Sequence, residues 1–420
     1  MGNNLNISIF GLGYVGLPLA VKLSKYFNVI GFDKNKQRIK DLKKFVDKNK
    51  EVSVAALKKA KLKYSTNKKD LKDINIFIVT VPTPVTSSNK PDLKPLLEAC
   101  KNIGQIISKE SIVVFESTVY PGVTEDICGP CIEKYSKLKM GKDFYLGYSP
   151  ERMNPGDKLH SVDKITKVIS GDNKKTILIL KKIYGKVNSN KIFVAKNIKT
   201  AEAAKVIENT QRDINVAFIN EITKLFKKIN LNIFDVLKTA ETKWNFLNFK
   251  PGFVGGHCIG VDPYYLAYLA KRKKIGSDLI LSGRKINNNF PFFLSNYINN
   301  YLSRKSKILV LGLTFKENVS DLRNTKVTDL IKSLKKKGHK VYVNDTYAYK
   351  DEVKRMNLNI TKLSIKDKYD SIILAVPHDN YKKLDYSFFK RKLNSKGVIF
   401  DLKAIWMNKK FPKNINYIIL

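Results

Sequence analysis

The stretch Gly11-Leu12-Gly13-Tyr14-Val15-Gly16 carries the strongest structural signal in this chain of 420 residues. The apolar run Leu5–Phe10 before it predicts a buried strand, and the helical spacing of Leu17–Tyr26 after it predicts a helix. A second apolar run, Val29–Phe32, ends at Asp33. A strand, a glycine turn, a helix and a strand in this order predict a parallel sheet with crossover helices.

The three glycines have the GxGxxG spacing in the setting that a dinucleotide requires. Gly11 permits the tight turn, Gly13 lets a pyrophosphate approach the backbone, and Gly16 lets the helix pack closely on the strand. Asp33 would accept hydrogen bonds from ribose hydroxyls, which favours NAD over NADP, although Arg38 and two nearby lysines weaken this preference. The alternative is a glycine turn that binds no ligand.

The opening pattern recurs near the other end of the chain. Three later segments resemble early ones in the same order: Lys307–Leu313 resembles Ile7–Leu12, Val341–Asp345 resembles Val29–Asp33, and Ser371–Pro377 resembles Asn75–Pro82. We therefore predict a duplicated doubly wound domain. The second copy has Thr314–Asn318 where the first has its glycines, so we expect it to bind something other than a dinucleotide.

A long amphipathic helix is predicted from about Lys199 to Ile229, and helical patterns continue to about Tyr301. The predicted fold is α/β, with two Rossmann-like doubly wound parallel-sheet domains joined by this central helix and a helical dimerisation region. We place the domains at 1–198 for NAD, 199–302 for the all-helical part with the cysteine loop, and 303–420 for the second Rossmann-like copy. A homodimer through the long helix is expected.

Composition narrows the possible functions. The net charge is +41, from 78 Lys+Arg against 37 Asp+Glu, but lysines are spread along the whole chain and outnumber arginines. This pattern disfavours specific nucleic-acid binding. Apolar runs are too short for a membrane span, the first strand starts too early for a signal peptide, and four cysteines do not form a disulfide framework. A cytoplasmic protein without a metal site is expected.

A glycine-dense loop, Lys250–Pro263, contains Cys258 followed by Asp262. Its flanking glycines predict close approach of a ligand and an exposed thiol nucleophile, whereas the alternative is a small buried residue. Lys205, Asn209 and Arg212 share one face of the long helix. Lysine and asparagine side chains can stabilise an oxyanion, whereas the alternative is a solvated face.

Polar segments also follow three predicted strands, at Val81–Pro84, Glu116–Gly122 and Ser149–Gly156, where open α/β sheets bind ligands. Cys128-Gly129-Pro130-Cys131 has the CxxC spacing of a dithiol oxidoreductase. Because it falls within a predicted helix and no thioredoxin-sized unit surrounds it, we interpret it as structural.

Seven motifs in order identify the chain as a member of the UDP-glucose/GDP-mannose dehydrogenase family, by resemblance over essentially its whole length. They are GLGYVGLP at Gly11–Pro18, VPTP at Val81–Pro84, ESTVYPG at Glu116–Gly122, SPERMNPG at Ser149–Gly156, AEAAKVIENTQRDINVAFINE at Ala201–Glu221, the Cys258 loop, and GLTFKENVSDLRNT at Gly312–Thr325.

The resemblance implies an NAD-dependent four-electron oxidation of C6 of a UDP-sugar to the uronic acid, for surface polysaccharides such as capsule or O-antigen. Cys258 would form a thiohemiacetal and then a thioester. Lys205 and Asn209 would stabilise oxyanions, Asp262 would position water and base, and Glu151 and Thr118 would act around the water.

It also implies contacts with both ligands. The NAD contacts would be Gly11, Gly13, Tyr14, Val15, Gly16, Asp33, Arg38, Thr83, Thr118 and Arg323. The substrate contacts would be Glu151, Arg152, Lys205, Asn209, Arg212, Phe249, Lys250, Gly252, Phe253, Gly255 and Lys316. Lys243 would reach across a dimer, and Lys403 stands where relatives have an arginine.

Two departures from glucose-specific relatives bear on the substrate. Pro155 replaces a glutamate and Val261 replaces a lysine. Both changes favour a UDP-N-acetylhexosamine, with UDP-N-acetylglucosamine preferred and Arg212 a candidate partner for the acetamido group. The galactosamine and mannosamine analogues stay open, as does a nucleotide-binding protein without catalysis.

Overall fold

The computed structural model describes residues 5–153, 163–256, 258–303 and 305–420. The chain divides into two compact units. Unit 1 comprises Met1–Glu208 with Tyr264–Gly276, and unit 2 comprises Asn209–Pro263 with Ser277–Leu420.

Unit 1 is built on a sheet of eight strands among its described residues, in the order β3-β2-β1-β4-β5-β6-β7-β8. The first six run parallel, as predicted, whereas β7 pairs with β6 in the antiparallel direction. The strands are β1 (Asn6–Phe10), β2 (Asn28–Phe32), β3 (Leu62–Ser65), β4 (Ile76–Val79), β5 (Ile112–Phe115), β6 (Tyr145–Tyr148), β7 (Lys167–Gly171) and β8 (Ile192–Val194).

The central strands of this sheet are buried because the crossover helices of a parallel sheet pack on its faces. They are α1 (Gly16–Leu23), α2 (Lys36–Lys43), α3 (Val54–Lys59), α4 (Lys94–Gly104), α5 (Gly129–Ser136) and α6 (Lys174–Asn188), with a 3₁₀ turn at Lys68–Leu71 and a π-helical turn at Thr124–Cys128. The CxxC motif therefore lies in helical structure, as predicted.

Unit 2 contains a second sheet, whose described strands are all parallel, in the order β11-β10-β9-β12-β13-β14. The strands are β9 (Lys307–Leu311), β10 (Lys340–Asn344), β11 (Asn359–Ile360), β12 (Tyr369–Leu374), β13 (Leu393–Asp401) and β14 (Asn416–Ile419). The predicted second sheet is confirmed.

One long helix, α7 (Ile198–Lys228), begins in unit 1 and ends in unit 2, within one residue of the predicted bounds. Helix α9 (Asp262–Arg272) begins in unit 2 and continues in unit 1. The remaining helices belong to unit 2: α8 (Ile233–Ala240), α10 (Asp278–Asn299), α11 (Val327–Lys336), α12 (Lys350–Arg355), α13 (Asp379–Lys382) and α14 (Tyr386–Lys392).

The turns after β1 and β9 show the duplication in atomic detail. Asp33 Oδ2 accepts the Leu12 N–H at 2.9 Å, and Asp345 Oδ2 accepts the Leu313 N–H at 2.6 Å. Asp345 is buried and also contacts His378 Nε2 at 3.0 Å, whereas Asp33 is half-buried. The second carboxylate is thus engaged within the protein, in agreement with a different ligand for the second copy.

Candidate active site

The Cys258 loop is fixed to the start of α9 in unit 2. The Cys258 carbonyl accepts the N–H groups of Val261 at 3.0 Å and Asp262 at 2.8 Å, and the Cys258 side chain is exposed. Asp262 is 1% exposed, and its Oδ2 accepts the Asn209 Nδ2–H at 2.5 Å. The structure therefore brings an exposed thiol, a buried carboxylate and an amide donor into one local arrangement.

Two glycines of this loop pack against the protein itself. A Cβ on Gly255 would lie 2.9 Å from the Asn324 carbonyl oxygen, and a Cβ on Gly256 would lie 2.9 Å from the Phe315 ring. Asn324 Nδ2 also donates to the Gly256 carbonyl at 3.1 Å. At the Cβ positions of both glycines the space is filled by the segment after β9, so packing within the protein also requires glycine there. Substrate approach to the main chain at these glycines stays a prediction. Gly260 has no atom within 3.5 Å of its Cβ position among the described residues.

The start of the loop is held by a side chain that the sequence interpretation missed. Asn220, on α7 and fully buried, accepts the Gly252 N–H at 2.8 Å and donates to the Gly252 carbonyl at 3.0 Å. Lys403 Nζ donates to the neighbouring Pro251 carbonyl at 2.9 Å. Burial lowers the pKa of Lys403. These contacts fix the backbone that the resemblance assigns to the UDP-sugar.

Asn220 belongs to a buried polar chain between α7 and α10. Its Nδ2 donates to Asn287 Oδ1 at 2.8 Å, Asn287 Nδ2 donates to Asp213 Oδ1 at 2.8 Å, and Arg284 Nη1 donates to the same oxygen at 2.6 Å. Asn209, Asp213 and Asn220 lie four and seven residues apart, so they share a helical face. That spacing was the sequence signal from which the role of Asn220 could have been predicted.

In unit 1, Glu151 lies in a buried charged cluster at the ends of β5 and β6. Lys167 Nζ bridges Glu116 Oε2 at 2.8 Å and Glu151 Oε2 at 3.0 Å. Tyr184 Oη lies 2.5 Å from Glu116 Oε1. Glu151 Oε1 accepts the N–H groups of Arg152 at 2.7 Å and Met153 at 2.6 Å. Sequence interpretation named Glu151 and Arg152 but not Glu116, Lys167 or Tyr184 as site residues.

The two carboxyls of this cluster are shifted in opposite directions. Burial raises the pKa of Glu116, and the charge of Lys167 does not fully offset it. Burial also acts to raise the pKa of Glu151, but Lys167 and the Met153 N–H outweigh it, so the pKa falls below its usual value. The charge of Lys205 on α7 contributes to this lowering.

Lys205, on α7, is only 8% exposed, so the solvated-face alternative does not hold for it, whereas Arg212 in unit 2 is exposed.

Two other unit 1 candidates, Thr83 and Thr118, lie on connected loops. Thr83 Oγ1 donates to the Thr118 carbonyl at 2.7 Å, which joins the VPTP and ESTVYPG segments. The Tyr265 hydroxyl donates to the Thr83 carbonyl at 2.9 Å.

The glycine turn fits a dinucleotide. Gly11 has φ +94°, and a Cβ there would lie 3.2 Å from the Thr80 carbonyl oxygen. A Cβ on Gly13 would meet open space, and among the described residues no side chain caps the start of α1. The turn therefore leaves space beside Gly13 for a pyrophosphate at the start of α1.

Arg38 braces this turn from within. Its Nε donates to the Leu12 carbonyl at 2.8 Å and its Nη1 to Asp47 at 2.8 Å. The resemblance gave Arg38 an NAD contact, and the structure adds a role in holding the turn. Asp33 Oδ1 likewise accepts the Asn35 N–H at 2.8 Å.

Other candidates have local partners. Arg152 pairs with Glu208, and Arg323 donates from Nη2 to Asp321 at 2.7 Å. Lys316, Phe249 and Phe253 are half-buried, whereas Lys243 and Lys250 are exposed. Pro155, used above for substrate choice, lies outside the described residues.

The CxxC motif lacks the features of a dithiol catalyst. The neighbouring Cys100 thiol and burial raise the pKa of Cys131, whereas a reactive cysteine needs a lowered pKa. In the described part of the chain no group of three His, Cys, Asp or Glu could hold a metal, and no helix is long and apolar enough to cross a membrane.

A GxGxxG turn that opens α1, with an aspartate at the end of β2, is typical of a dinucleotide-binding domain of the Rossmann type. Three models of one family match the chain in succession: the UDP-glucose/GDP-mannose dehydrogenase family NAD binding domain at 5–188, its central domain at 199–289 and its UDP binding domain at 309–408. The chain belongs to this family of NAD-dependent nucleotide-sugar dehydrogenases.

Individual relatives resemble the chain over nearly its full length. It is 48% identical to the protein named CapL of Staphylococcus aureus over 411 residues, 96% of each chain. It is 43% identical to a UDP-N-acetyl-D-glucosamine 6-dehydrogenase of Salmonella typhi, over 96% of this chain and 97% of that protein. The solved structure of a UDP-D-ManNAc dehydrogenase from Pyrococcus horikoshii superimposes with TM-score 0.88 at 29% identity, covering 99% of both chains.

Proposed function

We propose that this protein oxidises C6 of UDP-N-acetylglucosamine to the carboxylate, through a covalent intermediate on Cys258. The observation that carries the proposal is the exposed Cys258 thiol on a loop that also fixes the buried Asp262 and its partner Asn209. The name of the relative from Salmonella typhi supports this sugar.

The chemistry follows from an alcohol that must lose four electrons. NAD, when bound, would supply the acceptor for one hydride, so the two oxidations would consume two NAD molecules in turn. The Cys258 thiolate adds to the C6 aldehyde and forms a thiohemiacetal, whose oxidation gives a thioester. Water then attacks the thioester carbonyl, and the thiolate leaves as the carboxylate forms.

Named side chains have separate roles in these steps. The Asn209 amide and the Lys205 ammonium stabilise the negative oxygen of the tetrahedral species. Asp262 is held by Asn209 and orients the base or water. Glu151, which Lys167 keeps ionised, accepts a proton from the attacking water. Thr118 positions that water from the loop after β5. The segment from Phe249 to Gly255, with Lys316, binds the UDP-sugar.

A second candidate substrate is UDP-N-acetylmannosamine, because the Pyrococcus horikoshii protein of similar structure is named a UDP-D-ManNAc dehydrogenase. UDP-N-acetylgalactosamine is the third. Comparing kcat/KM for these three sugars and UDP-glucose decides among them. The largest value with the acetylglucosamine sugar supports the proposal, and a larger value with another sugar replaces it.

The covalent step has its own test in Cys258→Ser. We expect turnover to acid to stop, with a sugar adduct or aldehyde detected by mass spectrometry. Cys131→Ser is the matched control, since this half-buried thiol lies outside the proposed chemistry. Unchanged acid formation by Cys258→Ser would remove the covalent mechanism.

We also propose a homodimer formed through the central helical region, in the cytoplasm. Apolar side chains on α7 and α10 support this assembly, since Phe218, Leu225 and Leu279 are 57%, 53% and 69% exposed. Light scattering of Phe218→Lys, compared with the wild type, tests the interface.

The domain limits 1–198, 199–302 and 303–420 are also proposed, and limited proteolysis tests them.

A further inference from the structure

We propose that Lys167 is a positioning residue that holds Glu151 as an ionised base, while Glu116 takes the proton that this buried cluster requires. This inference rests on the proposed function, since it concerns the same reaction. The cluster lies wholly within unit 1, on β7, the loop after β6 and the end of β5.

The geometry separates the two carboxyls without reference to their titration. Glu151 Oε1 is contacted by two backbone N–H groups, and its Oε2 is contacted by the Lys167 ammonium. All three of these partners can only donate, so each favours a carboxylate at Glu151. Glu116 Oε2 also accepts from the Lys167 ammonium, at 2.8 Å, but its Oε1 faces the Tyr184 hydroxyl, which can accept a hydrogen bond from a carboxyl O–H as well as donate one.

Charge balance leads to the same assignment. The side chains of Lys167, Glu116 and Glu151 are 3%, 0% and 7% exposed. Among the three hydrogen-bonded groups, one ammonium with two carboxylates would leave a net negative charge in a buried place, which is costly. Lys205 is the other nearby ammonium, but no described hydrogen bond joins it to either carboxylate. A proton on Glu116 makes the cluster neutral and leaves the ammonium to stabilise Glu151.

Neighbouring elements complete the electrostatic setting of Glu151. Lys205 faces it from α7, and its charge stabilises the carboxylate. Tyr184 faces Glu116 from α6, and burial raises the pKa of that phenol well above its usual value, so it stays neutral. Arg152, next in sequence, pairs with Glu208 instead. Lys167 is therefore the direct cationic contact of Glu151 in the described residues.

The test is the pH profile of kcat/KM for the full-length enzyme. Lys167→Met removes the ammonium, so the acid limb should move up by about 1–2 pH units. At acidic pH, kcat/KM of Lys167→Met should be about 10–100-fold lower than that of the wild type, and it should recover at higher pH. Lys167→Arg, which keeps the charge, should restore the limb towards its original position. Glu116→Gln should leave the limb in place, because Glu116 is already neutral, and a limb that moves down would overturn the protonation of Glu116.

A merely structural role gives a different result. Loss of activity by the same factor at every pH, with an unmoved acid limb in Lys167→Met, overturns the inference. Lys175→Met is the matched control, because Lys175 pairs with Glu110 at the surface of the same unit. If Lys167→Met does not fold, the double variant Lys167→Met/Glu116→Gln removes the ammonium and replaces the protonated Glu116 by a neutral amide, and it should still move the limb up.

A readout without turnover separates this inference from the proposed function. The infrared carboxylate band of Glu151, assigned by its loss in Glu151→Gln, is titrated in the wild type and in the Lys167 variants. A higher midpoint in Lys167→Met supports the inference even if no UDP-sugar is oxidised, and an unchanged midpoint overturns it. Absence of oxidation with all tested sugars would defeat the proposed function alone.

Discussion

Asn209 on α7 donates its side-chain amide to the buried Asp262 carboxylate at the start of α9, with 2.5 Å between Nδ2 and Oδ2. Asp262 in turn donates its backbone N–H to the Cys258 carbonyl at 2.8 Å. A single amide therefore links the central helix to the carboxylate beside the thiol loop.

Asn209→Ala should lower kcat by about 10²–10³-fold, because it removes a donor for the tetrahedral oxygen and a partner of Asp262. Steady-state kinetics with the UDP-sugar measure this effect. Asn215→Ala is the control, since the Asn215 amide bonds only to the Gln211 carbonyl of the same helix in the described contacts. An unchanged kcat for Asn209→Ala would contradict the assigned role.

Asn220→Ala should weaken substrate binding and also lower the stability of unit 2. It leaves both the N–H and the carbonyl of buried Gly252 without this partner, at a cost of about 1–3 kcal/mol per unsatisfied group. KM for the UDP-sugar should rise and the thermal midpoint should fall. Asn296→Ala, at an exposed position on α10, serves as the control. An unchanged KM would show that the contact of Asn220 with Gly252 does not support substrate binding.

Asp33→Ala should raise the Kd of NAD at least about tenfold, since hydrogen bonds to a charged group contribute roughly 1.5–3 kcal/mol. The variant loses the expected ribose contact and the support of the Leu12 N–H. Calorimetric titration with NAD measures the change. Asp41→Ala, on α2, controls for loss of a nearby negative charge, and equal Kd values for all three proteins would contradict the cofactor assignment.

Glu202 should make unit 1 less stable as the pH rises. Burial raises the pKa of Glu202 from 4.5 to about 7, although its carboxylate accepts the N–H groups of Gly122 and Thr124. The folded state therefore binds more protons than the unfolded state between pH 4.5 and about 7. Stability is lost as the pH rises through this window, by an amount on the order of 3 kcal/mol.

The measurement is the thermal midpoint of the wild type minus that of Glu202→Gln at several pH values. This difference should decrease from pH 5 to pH 8, because the variant lacks the titration. Glu98→Gln, an exposed glutamate on α4, is the control. A pH-independent difference for Glu202→Gln would contradict the raised pKa.

Local patterns were enough to predict the sheets and the central helix. The runs that became β1, β2, β9 and β10 are apolar and end in turn residues, and α7 keeps helical spacing over its length. The resemblance of Val341–Asp345 to Val29–Asp33 was visible in the sequence, and both aspartates accept a backbone N–H of the turn that follows the first strand of their sheet. Periodicity could not give the reversed direction of β7, because it depends on pairing with a strand distant in sequence.

The same limit applies to the site. Cys258, Asp262, Lys205 and Asn209 were found from motifs, whereas Lys167 read as one more lysine in a lysine-rich chain. Its role depends on contacts 16 and 51 residues away in sequence, which only the fold reveals. The clamp of Asn220 on Gly252, 32 residues apart, was missed for the same reason.

The most direct measurement is the number of NADH molecules formed per UDP-N-acetylglucosamine, from absorbance at 340 nm with limiting sugar and excess NAD. Two NADH per sugar is the predicted result, since alcohol oxidation and thiohemiacetal oxidation each release one. One NADH per sugar would mean that oxidation stops at the aldehyde, and it would contradict the covalent role of Cys258.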